Sequence, residues 1–207
     1  MEDKMINARR TTRLIWMLVL ALPYAIQATA QQPQSQSTGP QGRIAEEVRR
    51  EKQESEVQAE QRTLMKRIGD YVTHTKYYWV AGKEPQETDG TARLTTMLDG
   101  RFLVEEDHGK VIDQPSTGYR IYGYNNGAKQ YEAVWVYTMS TAILTMSGHS
   151  KDDGKTIDYA AHFDETNQKI KKLFVHMNQV NDDEFVIELS GEMKDDPHVI
   201  TTYDRRK

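Results

Sequence analysis

After Gly69 the chain consists of short runs rich in aromatic and β-branched residues, and the connectors between these runs are all short. Runs of this kind, separated by turn residues, are typical of β-strands. Parallel strands need a crossover of about a dozen residues or more, usually a helix, so each strand is expected to pair antiparallel with the next. We predict about ten strands, over residues 71–81, 91–98, 101–107, 116–124, 130–139, 142–150, 156–164, 170–178, 184–192 and 198–203.

Two turn sequences support this meander. Asp99-Gly100 lies between the second and third runs, and this dipeptide favours the positive φ angles of a tight hairpin. Asn125-Asn126-Gly127 lies between the fourth and fifth runs, and these residues also tolerate a left-handed backbone. Both hairpins are therefore expected to pair neighbouring strands.

A meander of this many antiparallel strands curls, and closure removes its exposed edges. We predict an all-β fold, an antiparallel up-and-down barrel over residues 69–207 preceded by an N-terminal α-helix, with a two-sheet sandwich as the alternative. Phe185, Ile187 and Leu189 share one face of a strand, which we expect to be dry. Residues 131–137 are apolar on both faces, so the preceding helix is expected to cover this strand outside.

Residues 43–68 carry densely alternating charges without Pro or Gly, a pattern that predicts a solvated helix. Only its last turns, with Leu64, Met65 and Ile68, are expected to dock on a core. This charged helix, or the outer face of the barrel, gives an alternative function as a protein–protein interaction module.

Residues 1–30 match a secretory signal peptide, with basic residues up to Arg13, an apolar stretch over 14–26 and the small-residue pattern Ala28-Thr29-Ala30. A membrane anchor needs about 20 apolar residues, which is more than this stretch holds. We predict export to the periplasm or the medium, without stable membrane insertion after cleavage. The Gln/Ser/Pro/Gly-rich residues 31–42 predict a disordered leader.

The composition of the 207-residue chain excludes several function classes. Cysteine is absent, so disulfides, thiolate nucleophiles and Cys-ligated metal centres are excluded. The formal charge of −4 gives no general attraction to phosphates, so no nucleic-acid partner is expected. The sequence has no phosphate-binding Gly-rich loop, GxSxG motif or HExxH motif. We predict no catalytic residue, no metal site and no cofactor.

A series of motifs follows in order along the strand region: Gly90-Thr91-Ala92-Arg93, Leu98-Asp99-Gly100-Arg101-Phe102-Leu103, Gly118-Tyr119, Gly123-Tyr124-Asn125, Lys129-Gln130-Tyr131 and Trp135. In this order they resemble the bacterial domain-of-unknown-function family 1579, over most of residues 65–207. The resemblance implies a calycin-like, lipocalin-like barrel. The family carries no established activity, so the resemblance implies no catalytic residue.

The titratable residues give little support for catalysis. No two of the six histidines have metal-ligand spacing, and His176, on the parity of Phe174, is the one most expected to point inward. A single inward imidazole in a barrel is able to hold haem iron, so a haem-binding protein or a barrel enzyme is a further alternative. Neighbouring carboxylates such as Glu105-Glu106-Asp107 point to opposite faces of a strand, so no acid/base pair is predicted.

With these chemistries excluded, the sequence predicts an apolar pocket with one polar contact, which is the general form of a small-ligand site. Arg120 is the candidate polar contact, a lone cation beside Tyr119 and Tyr122. We expect a monomeric carrier or sensor of a small hydrophobic or amphipathic molecule, with plain core packing as the alternative. The candidate ligand-binding residues are Trp79, Arg120, Trp135, Tyr137, Met139 and Met146.

Overall fold

The computed structural model describes residues 39–162 and 172–207. Two helices, α1 (Pro40–Glu54) and α2 (Ala59–Met65), precede ten strands in this part of the chain. The strands are β1 (Gly69–Tyr78), β2 (Gln86–Met97), β3 (Phe102–Val111), β4 (Gln114–Asn125), β5 (Gln130–Tyr137), β6 (Leu144–His149), β7 (Thr156–His162), β8 (Lys172–Gln179), β9 (Glu184–Gly191) and β10 (His198–Arg205).

The ten strands form a closed barrel in which each strand pairs antiparallel with its neighbour in sequence. The last strand closes the sheet on the first: Tyr71 of β1 lies opposite Arg205 of β10 and opposite Ala92 of β2. Closure leaves no strand edge unpaired. The predicted all-β up-and-down barrel with a preceding helix is therefore confirmed, and the two-sheet sandwich is not formed.

The turn predicted at Asp99-Gly100 is confirmed. Leu98, Asp99 and Gly100 have φ angles of 52°, 57° and 84°, so three consecutive residues adopt the left-handed backbone between β2 and β3. Glycine adopts this conformation without steric cost, and Asp tolerates it better than most residues. The turn therefore sets the pairing of Met97 with Phe102 directly beside it.

Alternation along the strands separates the barrel interior from its surface. Phe185 and Ile187 of β9 are 0% and 2% exposed, and Leu189 packs against the core, so the dry face predicted for this strand is confirmed. To this interior each strand contributes side chains that are less than a tenth exposed. These include Tyr71, Leu94, Leu103, Tyr122, Tyr131, Met146, Ile157, Tyr159, Met177 and Tyr203.

Helix α2 closes one end of the barrel. Leu64 is 0% exposed and is part of the hydrophobic core, and Met65 packs against that core. Polar contacts hold the helix in place: Gln61 donates from Nε2 to the carbonyl of Tyr124 at 3.0 Å, and the Arg205 guanidinium donates to the carbonyl of Lys66 at 2.9 Å. The closed end therefore combines an apolar plug with hydrogen bonds to β4 and β10.

Arg67 follows α2 into the closed end and is 1% exposed. Its Nη2 donates to the carbonyls of Gly154 and Lys155 at 3.0 and 3.1 Å, and its own carbonyl accepts from the Tyr71 hydroxyl at 2.9 Å. Burial lowers the pKa of Arg67 and raises that of nearby Tyr131 to about 12. Arg67 thus joins the segment after α2 to the turn between β6 and β7.

The chain expected as one helix over residues 43–68 forms two helices, and the physical reason lies in the barrel. Asn126, in the turn between β4 and β5, donates from Nδ2 to the carbonyls of Glu54 and Glu56 at 2.6 and 2.8 Å. Gln58 then begins α2 with a capping box to Gln61. Helix α1 begins at Pro40, within the segment predicted as a leader, and none of its residues is buried.

Two details of the expected docking differ in the structure. Ile68 is 38% exposed, whereas the preceding Arg67 is buried, so the side chain of Ile68 does not dock on the core. Helix α2 packs against β3 and β4 at the barrel end and does not cover β5, where the outward Val134 is 37% exposed. The expectation that this helix covers residues 131–137 is therefore wrong.

Several predictions lie outside the described residues. These are the signal peptide over residues 1–30, residues 31–38 of the leader, and the connector and strand start over 163–171. In the described part of the chain, neither helix has the length and apolar character needed to cross a bilayer.

We expect Leu64→Ala to lower the free energy of unfolding by about 2–5 kcal/mol, because it leaves a cavity between α2 and the core. Leu98→Ala is the matched control: Leu98 is 61% exposed in a turn, so the same change is expected to cost less than about 0.5 kcal/mol. Urea unfolding measures both. Equal effects of the two variants would show that α2 does not seal the barrel.

Candidate functional site in the barrel cavity

A cavity of about 210 Å³ lies in the end of the barrel opposite α2. It is lined by the last residues of β1, β3 and β5 and by the first residues of β2, β4 and β10, so it opens between the loops at this end. Its inward-facing side chains are of four kinds: hydroxyl groups, aromatic rings, aliphatic groups, and two opposite charges. They are Thr73, Thr75, Tyr77, Trp79, Thr88, Asp107, Arg120, Trp135, Tyr137, Leu189, Val199, Thr201 and Tyr203.

Beneath the cavity lies a buried charge network centred on Glu105. Glu105 is 0% exposed and accepts hydrogen bonds from the hydroxyls of Tyr122 at 2.7 Å and Tyr203 at 2.8 Å. Arg120 forms an ion pair with the same carboxylate through Nη1. Three donors from two strands other than its own therefore satisfy this buried carboxylate, as a buried charge requires.

Asp107 is the second carboxylate of the network. It lies two residues after Glu105 on β3, so both side chains point inward, and its Oδ2 accepts from Arg120 Nη1 at 3.1 Å. Asp107 is a quarter exposed, on the side of the network that faces the cavity. A Cβ on Gly118, opposite Asp107, would collide with this carboxylate, so the glycine provides the space it occupies.

The network shifts the pKa of Arg120 and of its two tyrosines. Burial by itself lowers the pKa of Arg120, but Glu105, Tyr203 and Asp107 outweigh it and raise the pKa well above its usual value. Burial, with Glu105 as the second cause, raises the pKa of Tyr122 and Tyr203 well above 10.0. Arg120 is therefore a permanent cation, and both tyrosines are neutral hydrogen-bond donors.

Two stacked aromatic pairs lie above this charge network, which forms the floor of the cavity. The rings of Tyr77 and Trp79 on the β1 side lie 5.2 Å apart at 3°, and those of Trp135 and Tyr137 on β5 lie 4.7 Å apart at 23°. The Arg120 guanidinium covers the Trp135 ring at 4.5 Å, a cation–π contact. Trp79, 41% exposed, is at the rim, while Trp135 is deeper in the barrel.

Hydrogen bonds from the polar ends of Tyr77 and Trp79 hold the first aromatic pair in place. The Tyr77 hydroxyl donates to the carbonyl of Lys110 at 3.1 Å, and Trp79 Nε1 donates to Gln86 Oε1 at 3.2 Å. These bonds reach β3 and β2, so the pair is fixed with its rings beside the cavity. A rigid aromatic wall of this kind costs little conformational entropy when it binds a ligand.

The structure brings together four of the residues predicted from the sequence as ligand-binding: Trp79, Arg120, Trp135 and Tyr137 all line the cavity. The two methionines do not. Met139 follows the end of β5 and is 47% exposed, and Met146 is an inward core residue of β6, 5% exposed. Arg120 points inward as expected, but it is not free to act as the polar contact alone, because Glu105 and Asp107 both pair with it.

Glu105 and Asp107 are the functional candidates that the sequence reasoning missed. Adjacent residues of a strand do face opposite ways, as expected, but residues two apart share a face, and this spacing places both carboxylates inside. The sequence reasoning compared only adjacent residues of the run Glu105-Glu106-Asp107, so it overlooked that Glu105 and Asp107 share the inward face. A Glu and an Asp two apart, with an Arg on the next predicted strand, are the signal that could have found the network.

The inward histidine expected at position 176 is also wrong. His176 lies on the outer face of β8, 46% exposed in its side chain, with Nδ1 2.5 Å from Asp158. The inward residues of this strand are instead Leu173, Val175 and Met177. His176 therefore does not provide a haem ligand inside the barrel.

We expect Glu105→Gln to lower the free energy of unfolding by about 3–5 kcal/mol, because it leaves the buried Arg120 without its closest counter-charge. Glu106→Gln is the control on the next residue, whose exposed carboxylate bonds His108 and Tyr119 on the outer face; we expect a loss below about 1 kcal/mol. Urea unfolding compares them. A similar loss in both variants would contradict a network that depends on Glu105.

Solved structures show the same fold in distant proteins. The S-type phycobiliprotein lyase CPES from Guillardia theta aligns with a TM-score of 0.50 at 10% identity, covering 76% of this chain and 97% of its own. Rv2717c from M. tuberculosis aligns with a TM-score of 0.52 at 13% identity, covering 73% of this chain and 100% of its own. No curated protein matches the chain significantly.

A family model also matches the sequence over residues 56–205, from the residues before α2 to the end of β10. This match covers α2 and all ten described strands, including every inward group of the cavity. The family resemblance read from the spaced motifs is thus confirmed. With its lipocalin-like barrel, this chain belongs to the family described as protein of unknown function (DUF1579).

Proposed function

We propose that this protein binds a small amphipathic molecule in the open end of its barrel. The observation that carries the proposal is the contrast between the two ends: one is filled by core side chains and closed by α2, whereas the other holds a cavity of about 210 Å³. A filled barrel needs no such space, because interiors are otherwise packed as tightly as organic crystals. Aromatic walls with a few convergent polar groups are the usual composition of a small-molecule site.

The cavity volume limits what fits inside. An engineered cavity of about 150 Å³ holds one benzene molecule, so about 210 Å³ suits a single ring or a short chain with a polar end. A larger ligand would extend past Trp79 into the rim. Burial of its apolar surface contributes about 25 cal/mol per Å², and the threonine hydroxyls and the charge network set its orientation.

Fold likeness does not identify the ligand. Barrels of one fold carry unrelated functions, and identities of 10% and 13% concern the fold alone. The proposal therefore depends on the side chains of this chain: Tyr77, Trp79, Trp135 and Tyr137 as walls, and the Arg120 network as floor.

We expect native mass spectrometry of the protein isolated from its own host to show a retained small molecule. Thr201→Phe is expected to abolish the retained mass, because Thr201 faces the cavity and a phenyl ring fills it. Thr202→Phe is the matched control, since this residue points outward from the same strand and is expected to keep the molecule. A Thr201→Phe protein that keeps the same mass would place the molecule elsewhere, and an empty wild-type protein would count against the function.

We also propose that the protein acts outside the cytoplasm after removal of residues 1–30. The support is the order of a basic stretch, an apolar stretch and Ala28-Thr29-Ala30 in the sequence. Intact-mass measurement of the protein from the periplasmic and medium fractions of the host is expected to give a chain that begins at Gln31. Replacement of Ala28 and Ala30 by Arg is expected to leave the precursor uncleaved. A chain that keeps residues 1–30 in the cytoplasm would refute the proposal.

A further inference from the structure

The charges that point into the cavity do not balance. The inward groups of the described residues carry two formal negative charges, on Glu105 and Asp107, and one positive charge, on Arg120. Three other titratable residues of the lining lie on the outward parity of their strands: Asp89 of β2, which bonds His74 on the outer face, and His108 and Lys110 of β3. The His108 ring bonds Glu106 and Thr117 outside. The interior at this end therefore has a formal charge of −1, in a partly desolvated space where charge interactions are stronger than in water.

Arg120, which carries the positive charge, is already paired with protein groups. Arg120 Nη1 donates to Glu105, to Asp107 at 3.1 Å and to the Tyr203 hydroxyl at 3.5 Å, and the guanidinium face lies on Trp135. An anion that approached the other guanidinium nitrogens would lie beside two carboxylates. The accessible charge is instead Asp107, a quarter exposed and bonded to Arg120 through one oxygen.

The aromatic walls of the cavity also favour a cation. Tyr77, Trp79, Trp135 and Tyr137 surround the space above Asp107, and aromatic faces attract cations through their quadrupoles. Asp107 also raises the pKa of Tyr77, after burial as the larger cause, so this ring lies within its field. An aromatic enclosure with one carboxylate is the general form of a site for an organic cation.

We propose that the molecule bound in this cavity is an organic cation, an amine whose ammonium group sits against Asp107 and whose apolar part lies between the two aromatic pairs. This inference rests on the proposed function, because it names the class of the ligand for the same cavity. The ammonium group neutralises the formal charge of −1, and the aromatic walls bury the hydrocarbon part.

Three ring compounds of equal size and different charge test the inference: benzylammonium, benzyl alcohol and benzoate. Amide NMR shifts of the wild-type protein at constant ionic strength give an affinity for each and show whether residues around the cavity respond. We expect benzylammonium to bind about tenfold more tightly than benzyl alcohol, and benzoate to bind most weakly, as expected for one ion pair with cation–π support. This comparison needs no variant to fold.

Two variants then locate the charge that matters. Asp107→Asn keeps an oxygen for Arg120 but removes the charge, so the preference for benzylammonium over benzyl alcohol is expected to fall to within about twofold. Asp204→Asn makes the same charge change on the outer face of β10 and is expected to leave the preference unchanged. A preference that survives Asp107→Asn, or that Asp204→Asn reduces equally, would overturn the assignment to Asp107.

The remaining outcomes separate the two proposals. If benzyl alcohol or benzoate binds in the cavity as tightly as benzylammonium, the cation inference is wrong while the ligand-binding function stands. If none of the three shifts any resonance of the cavity residues, both proposals fail.

Discussion

The pairing of β1 with β10 is the constraint on which the rest of this structure depends. The ten described strands, paired in sequence order, have two free edges until this last pairing forms, and closure then gives the sheet an inside of fixed volume. Every second side chain must be placed in that volume. The sequence fills most of it with tyrosine, leucine and isoleucine, and the space that stays open is confined to one end.

Two buried arginines show how this interior accommodates polar groups. Arg67 at the closed end donates from Nη2 to backbone carbonyls of the turn between β6 and β7 while its buried Nε has no partner, whereas Arg120 pairs with carboxylates. Burial of a charge is costly, and an apolar replacement of a buried ion pair is often as stable. The Glu105–Arg120 pair is therefore better understood as a device that sets the shape and charge of the cavity than as a source of stability.

The barrel could be predicted from the sequence because strand formation and hairpin pairing depend on residues close together in the chain. Period-two alternation and turns such as Asp99-Gly100 determine which strands exist and how they pair. The errors arose where both faces of a strand are apolar, as in β8. There Phe174 points outward and is covered by Lys172 at 4.9 Å, and this reverses the orientation expected for His176. The break between the helices depends on Asn126, 70 or more residues away, and no local pattern predicts such a contact.

The plug formed by α2 has a kinetic consequence for the cavity. Because Leu64 and Arg67 close the opposite end, the proposed ligand has a single opening, and a bound molecule must leave through it before another one enters. Exchange is then sequential. A higher concentration of a competing ligand shortens the time that the cavity stays empty, but it does not change the residence time of a molecule already bound. For the ligand proposed above, the rate of release is then set by its own contacts with the cavity walls, whatever else is dissolved around the protein.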